Sequence, residues 1–555
     1  MSLPRTGGQI LVANLLAQGV DLAFCVPGES YLPVLDALYD ARDRLRLIVC
    51  RQEGGAAYMA EAYGKLTGRP GIALVTRGPG ASNAAVGIHT AAQDSSPMIV
   101  FVGQVGSDFA DREAFQEIDY RRMYGGSVKW AAQIDRADRI PEYVARAFRV
   151  AQSGRPGPVV LALPEDMLVA SAAVDDAARV EPTLLHPAPE AIAALRARLQ
   201  TARQPLVIVG GSGWNERACA DLARFVAANA LPVACAFRNQ DLVDNRDDHY
   251  AGEVGIGPNP KLAARVSDAD LLLVIGERLG EMVTSGYTLL SAPHPAQTLI
   301  HVHPGADELG KVYQPSLAIA ASLPAVCAAL AALPPIAAPA WAGSAVQAHS
   351  EYLAWQMPRP MPGELDLWHV VGFLRDRLPE DAILVNGAGN YATWLHRLYR
   401  YPRYRTQLAP YSGSMGYGVP AAIAAKAVCP DRIVVSWNGD GCFLMNGQEI
   451  ATAVQYGLNA IFVVVDNGMY GTIRMHQEKH YPARVYGTDL VNPDFAALAR
   501  AYGAHGESVR RTAEFEPAFE RALAHDGPSL LHLHLDPQAI TMNATIDQIR
   551  AQASR

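Results

Sequence analysis

The chain of 555 residues is 50% hydrophobic and 18% charged, the balance of a globular protein, and its length predicts about three domains. A net charge of -8, with acidic and basic residues interspersed and no Lys/Arg block, excludes a nucleic-acid surface. Seven scattered cysteines without a C-x-x-C pair exclude a disulfide framework and point to a reducing, cytoplasmic compartment. No uninterrupted apolar run approaches the ~20 residues that a bilayer requires.

The chain opens with MSLPRTGGQILVANLLAQGV, whose apolar stretch is interrupted by Asn14 and Gln18. It predicts an amphipathic helix rather than a secretory signal. Runs rich in Val, Ile and Leu then recur, each closed by Gly, Pro or Asn and followed by a helical pattern. In the first third they are LAFCVPG (22–28), GIALVTRGPG (71–80), MIVFVGQV (98–105) and PVVLALP (158–164). The middle third has PLVIVGGSG (205–213), ADLLLVIGERL (269–279) and TLIHVHPG (298–305). The last third has AILVNGAGN (382–390), RIVVSWNGDG (432–441), AIFVVVDNG (460–468) and SLLHLHLD (529–536). Near-continuous apolar strands alternating with helices predict an α/β fold of doubly wound parallel sheets covered on both faces. Such sheets bind ligands beyond the carboxyl ends of their strands, so the residues there are where chemistry belongs.

Two breaks divide the chain. Between 165 and 190 the strand pattern gives way to the Pro-punctuated EPTLLHPAPEA, and LPPIAAPAWAGSA (333–345) predicts an extended linker. The expected domains are 1–170, 188–335 and 352–537, with a tail at 538–555. The first and third are similar in strand pattern.

The strongest chemical signal is Gly439-Asp440-Gly441 after the strand RIVVSW. A Gly-rich turn at a strand end lets backbone N–H groups approach a phosphate. Asp440 provides one hard oxygen ligand and Asn467, at the end of the next strand, a second. A Mg²⁺ held by few protein oxygens and completed by diphosphate oxygens is the usual arrangement for that ion. Gly-Asp-Gly alone is an ordinary turn; with Asn467 it predicts a metal-bridged diphosphate.

Gly-Asp-Gly, twenty-five residues and then Asn resembles the diphosphate motif of the thiamine-diphosphate-dependent enzymes. RQEGGAA (51–57) resembles the segment that carries the family's activating glutamate. GPGASN (78–83), FQE (115–117), RPGP (155–158) and SMGYG (414–418) resemble the acetolactate synthases in particular, so the likeness runs along nearly the whole chain. It implies a pyrimidine-binding domain, a central Rossmann-like domain and a diphosphate-binding domain, with thiamine diphosphate and Mg²⁺ as cofactors.

Carried over residue by residue, Asp440, Asn467 and the main-chain oxygen of Met469 would bind Mg²⁺. Gly389, Asn390, Gly439, Gly441, Cys442, Tyr470 and Gly471 would line the diphosphate, and Met415 would wedge beneath the bent cofactor. Glu53 would hydrogen-bond the aminopyrimidine ring nitrogen and promote the imino tautomer, whose exocyclic nitrogen takes the thiazolium C2 proton. Gln116 is either a substrate-pocket residue or an ordinary surface amide. Cys442 reads as a small pocket residue whose backbone N–H matters, and His89, His476 and His480 receive no role.

The activity implied is decarboxylation of a 2-oxo acid and carboligation to an acceptor carbonyl. Alternatives with the same cofactor are a C–C lyase or a simple 2-oxo acid decarboxylase; a flavin-linked oxidase and a non-catalytic assembly subunit are further rivals. In the family, the glutamate and the diphosphate site sharing one cofactor belong to different subunits, which implies a homodimer or homotetramer. The sequence also departs from the acetolactate synthases. Glu165 stands where they carry Lys, the segment after Asn467 lacks their acceptor-pocket Trp, and AGEVGIGPNP (251–260) has no G-M-H-G flavin stretch. Arg155 matches a flavin-contacting Arg, a position that packing alone also explains, and the departures argue against FAD as a cofactor. The departures cluster at the substrate end of the cofactor, which implies a shared mechanism with an altered substrate.

Overall fold

A computed structural model describes residues 3–553. Three six-stranded sheets, all parallel, follow one another along the chain. Across the first sheet lie Arg46–Val49, Leu22–Cys25, Gly71–Val75, Met98–Gln104, Pro158–Pro164 and Trp130–Gln133. Across the third lie Gln407–Leu408, Ile383–Asn386, Val434–Gly439, Ile461–Asp466, Ser529–His534 and His505–Val509. Numbered along each segment, both sheets run in the same spatial order, 2-1-3-4-6-5. The similarity of pattern in the sequence thus has a topological counterpart.

The central sheet differs. Its order is Tyr250–Val254, Val233–Ala236, Pro205–Val209, Leu271–Ile275, Thr298–His303 and Leu317–Ala320, or 3-2-1-4-5-6. That is the doubly wound order with a switch point between its first and fourth strands. Glycines follow both of those strands at Gly210 and Gly276.

The outer two layers share one core. The helices Glu53–Thr67 and Gly418–Val428 pack together, and the core they share joins Phe24 and Val100 of the first sheet to Phe462 and Val464 of the third.

Two expectations need correction. The helix Gly7–Ala17 is buried around most of its girth (Ile10, Leu11, Val12 and Leu15), not amphipathic at a surface. It is covered by the helices Leu32–Asp40 and Ile140–Gln152, and its buried Asn14 is bonded to Asp176 at 2.9 Å. The linker is also anchored: Trp341 is buried with Nε1 donating to the Asn229 carbonyl at 2.9 Å, and Ser344–Trp355 is helical and packs on the central sheet. Beyond the third sheet the tail forms a helix, Ile546–Ala553, packed against Gly471–His480. All seven cysteines are free. Among the described residues no helix is long and apolar enough to cross a membrane.

Candidate active site

Strand Val434–Gly439 ends in the first glycine of the motif, and a short helical turn, Asp440–Phe443, follows. A Cβ on Gly441 would lie 2.6 Å from the Tyr470 ring, so the backbone reaches its neighbour only because that side chain is absent. Asp440 is 3% exposed. Its Oδ1 accepts from the Gly441 N–H at 2.8 Å, and its Oδ2 accepts from the Met469 N–H at 3.2 Å and from Asn492 Nδ2 at 2.8 Å. Burial pushes its carboxyl up to about 6.

The neighbouring Asp466 goes the other way. Burial raises it, but hydrogen bonds from His532, the Gly468 N–H and Asn492 outweigh burial and hold it at about 2. His532 Nε2 lies 2.9 Å from Asp466 Oδ2, and the Asn492 amide donates to Asp466 Oδ1 at 2.8 Å. Asp466 is thus compensated by protein groups, whereas Asp440 is a buried carboxylate without a cation, which suits a metal ion.

All eleven residues expected at the metal and diphosphate line one cleft of 230 Å³. Their support comes from several elements. Asn390 is tied to Thr472 Oγ1 through its N–H at 3.0 Å and to the Ile540 carbonyl through Nδ2 at 3.1 Å. Cys442 contributes its sulfur as well as its backbone, since Sγ accepts from the Gly416 N–H at 3.2 Å and pins the turn after Met415. Gly416 sits at φ +82, where a side chain would be strained.

Glu53 and Gln116 do not line this cleft. They flank the Gly78–Gly80 turn: a Cβ on Gly80 would lie 3.2 Å from Glu53 Oε1, and one on Gly78 would lie 2.7 Å from Gln116 Cβ. Glu53 opens the helix Glu53–Thr67, where the helix dipole favours a carboxylate, and its Oε2 accepts from Asn83 Nδ2 at 2.9 Å. From the third domain, the buried Glu449 accepts from the Arg51 and Gln52 N–H groups at 3.0 Å and caps the segment just before Glu53. Gln116 lies at φ +65. Arg77 holds the chain beside it, with Nε donating to the Phe115 carbonyl at 3.1 Å, and Arg77 is ion-paired with Glu165. The Glu at 165 therefore has a structural partner in this chain.

A larger cavity of 870 Å³ opens beyond the strand ends of the central sheet and shares Gly389, Asn390, Gly413 and Thr472 with the cleft. Glu253 and Glu277 line it, and burial raises both, Glu253 to about 7. His476 also lines it, while His89 and His480 are exposed. Sequence reasoning missed Asn492, His532 and Glu449. For His532 a signal existed, because a His inside the apolar strand Ser529–His534 needs a buried partner. Asn492 lies in a loop with no motif around it.

Three family models match the chain: thiamine pyrophosphate enzyme N-terminal TPP binding domain (residues 5–123), central domain (192–330) and C-terminal TPP binding domain (387–533). The acetolactate synthase isozyme 2 large subunit of Escherichia coli (strain K12) is 33% identical over 96% of this chain and 95% of its own length. The acetolactate synthase large subunit of Corynebacterium glutamicum is 31% identical over 93% of this chain and 84% of its own, and a probable acetolactate synthase large subunit of Methanocaldococcus jannaschii is 30% identical over 96% and 92%. The chain belongs to the thiamine pyrophosphate enzymes. It is an enzyme that depends on thiamine diphosphate.

Proposed function

We propose that the protein decarboxylates a 2-oxo acid and joins the remaining fragment to an acceptor carbonyl, as the name acetolactate synthase describes for its relatives. The observation that carries this reading is the buried, cation-less Asp440 on a cleft lined by every residue expected at the metal and diphosphate. Asp440, Asn467 and the Met469 carbonyl would hold Mg²⁺, the glycine backbone around Gly439–Gly441 and Tyr470–Gly471 would take the diphosphate, and Met415 would support the cofactor. Thiamine diphosphate, when bound, supplies an electron sink for the bond next to the substrate carbonyl. Glu53 holds a proton at the aminopyrimidine ring nitrogen, and Gln116 faces the substrate.

One chain cannot do this alone. Glu53 lies outside the cleft and outside the larger cavity that adjoins it. Both half-sites have exposed apolar neighbours: Val86 and Phe115 on the glutamate side, Leu444, Met445 and Ile473 on the diphosphate side. Apolar groups so placed suit burial against a second copy. The proposed assembly is a homodimer or a dimer of dimers, cytoplasmic, with domains at 1–170, 188–335 and 352–537. Flavin is left out of the reading. Arg155 spends its donors on Glu308 at 2.7 Å, Ser95 at 2.8 Å and the Ala92 carbonyl at 2.7 Å.

The test is a mixed dimer of one Glu53→Gln chain and one Asp440→Ala chain, followed by hydrogen–deuterium exchange at C2 of the bound thiamine diphosphate. Sites shared between subunits leave one intact site, so the dimer retains one cofactor that exchanges at the wild-type rate. If that single cofactor exchanges as slowly as in the Glu53→Gln homodimer, the shared-site reading is wrong.

A further inference from the structure

The helix that begins with Glu53 spends its following turns on the other half-site of its own chain. The Tyr58 hydroxyl is hydrogen-bonded to the Ser414 hydroxyl and donates to the Met415 carbonyl at 3.1 Å. Its ring stands edge-on to Tyr417, with centroids 5.5 Å apart. The Tyr417 hydroxyl donates to Glu61 at 2.6 Å, and Ser96 donates to the other Glu61 oxygen at 2.6 Å. Lys65 lies 3.1 Å from Glu61 and 2.7 Å from Asp94, and donates to the Ala409 carbonyl at 2.8 Å. Asp94 in turn accepts from the Tyr411 N–H at 2.9 Å and the Ser412 N–H at 2.8 Å. The segment 409–417, with Met415 near its end, therefore hangs on this helix and on Asp94 beside it.

Tyr58, Glu61, Asp94 and Tyr417 are each at most 1% exposed, so water does not compete for these bonds. On the far side of Met415, Asn446 donates to the Gly416 carbonyl at 3.0 Å and Cys442 accepts from the Gly416 N–H. The turn is thus clamped between the two domains.

We infer that this helix serves two active sites at once, offering Glu53 to the cofactor of one site while Tyr58, together with Tyr417 and Glu61, positions Met415 beneath the cofactor of the other. The inference rests on the reading that each site is shared between subunits. Tyr58 and Tyr417 are positioning residues.

Tyr58→Phe and Ser414→Ala remove the same hydrogen bond from its two ends. Each is expected to slow C2 exchange of the bound thiamine diphosphate about 10-fold, the scale of a small misplacement of reacting groups, while Mg²⁺-dependent cofactor retention is kept. Wild-type exchange in both variants would overturn the inference. Two mixed dimers then locate the effect. Pairing a Glu53→Gln chain with a Tyr58→Phe chain puts both lesions in one site, so half of the bound cofactor should exchange at the wild-type rate. Pairing a Glu53→Gln/Tyr58→Phe chain with a wild-type chain puts one lesion in each site, and no cofactor should reach that rate. The reverse ranking would mean that Tyr58 acts on Glu53 of its own helix, which sinks the inference and leaves shared sites standing. Failure of the Glu53→Gln and Asp440→Ala pair described above would remove the shared-site reading itself.

Discussion

Asn492 donates one amide to two carboxylates, and those two are driven in opposite directions. Asp466, held at about 2, contributes stability that is present above its ordinary value of 3.8 and lost as pH falls toward 2. Asp440, pushed to about 6, has the opposite sign. The metal-free folded chain holds its proton more tightly than the unfolded chain does, so protonation relieves the buried charge as pH falls through 6. Mg²⁺ and the proton therefore compete for one carboxylate. Thermal melts should show Mg²⁺ with thiamine diphosphate raising the Tm clearly at about pH 7–8 and much less at about pH 5. A gain independent of pH would remove Asp440 from the metal site. At this scale the sequence was informative where residues lie at a fixed spacing, as with Gly439-Asp440-Gly441 and Asn467, which line one cleft. It was silent where function resides in an approach through space, as with Asn492, which meets Asp440 across a loop.

The helix Glu53–Thr67 buries a cation between two anions, Lys65 with Glu61 and Asp94. Such an arrangement is tolerable only while each charge is paired, and removing one partner leaves the others desolvated and uncompensated. Lys65→Met should therefore cost about 3–5 kcal/mol in denaturant unfolding, against less than about 1 kcal/mol for an exposed pair such as Arg377 with Glu520 broken in the same way. Similar losses for the two would show that the buried network is solvated. Elements were unequally legible. The eleven named apolar runs all became strands because they are buried from both faces. The strands Arg46–Val49, Trp130–Gln133 and Leu317–Ala320 went unnamed, being edge strands with exposed or half-buried positions. Val233–Ala236 and Tyr250–Val254 are fully or largely buried but short, and a four- or five-residue run without a strong turn signal is easily passed over.

At the scale of the whole molecule, two sheets of identical strand order face each other across the Glu53–Thr67 and Gly418–Val428 helices, with the central sheet beside them. Glu53 lies outside the cleft that Asp440 lines, and under the proposed function the two meet only across a subunit interface. Activity should therefore depend on protein concentration. On dilution, C2 exchange of bound thiamine diphosphate and turnover should fall together with the dimer fraction seen by sedimentation, while far-UV circular dichroism stays unchanged. A monomer that exchanges at the full rate would contradict the assembly.

The amino-acid sequence by itself determined the α/β class, most of the central strands and the chemistry at their carboxyl ends. Those properties rest on local periodicity and on the few residue types that a tight turn, a phosphate or a hard cation accepts. Only the tertiary structure decided that Glu53 lies outside the cleft that Asp440 lines, that the helix Glu53–Thr67 braces the segment around Met415, and that His532 pairs with Asp466 rather than with Asp440. These depend on which helices pack together and on which polar groups burial brings together, and such contacts join positions far apart in the chain.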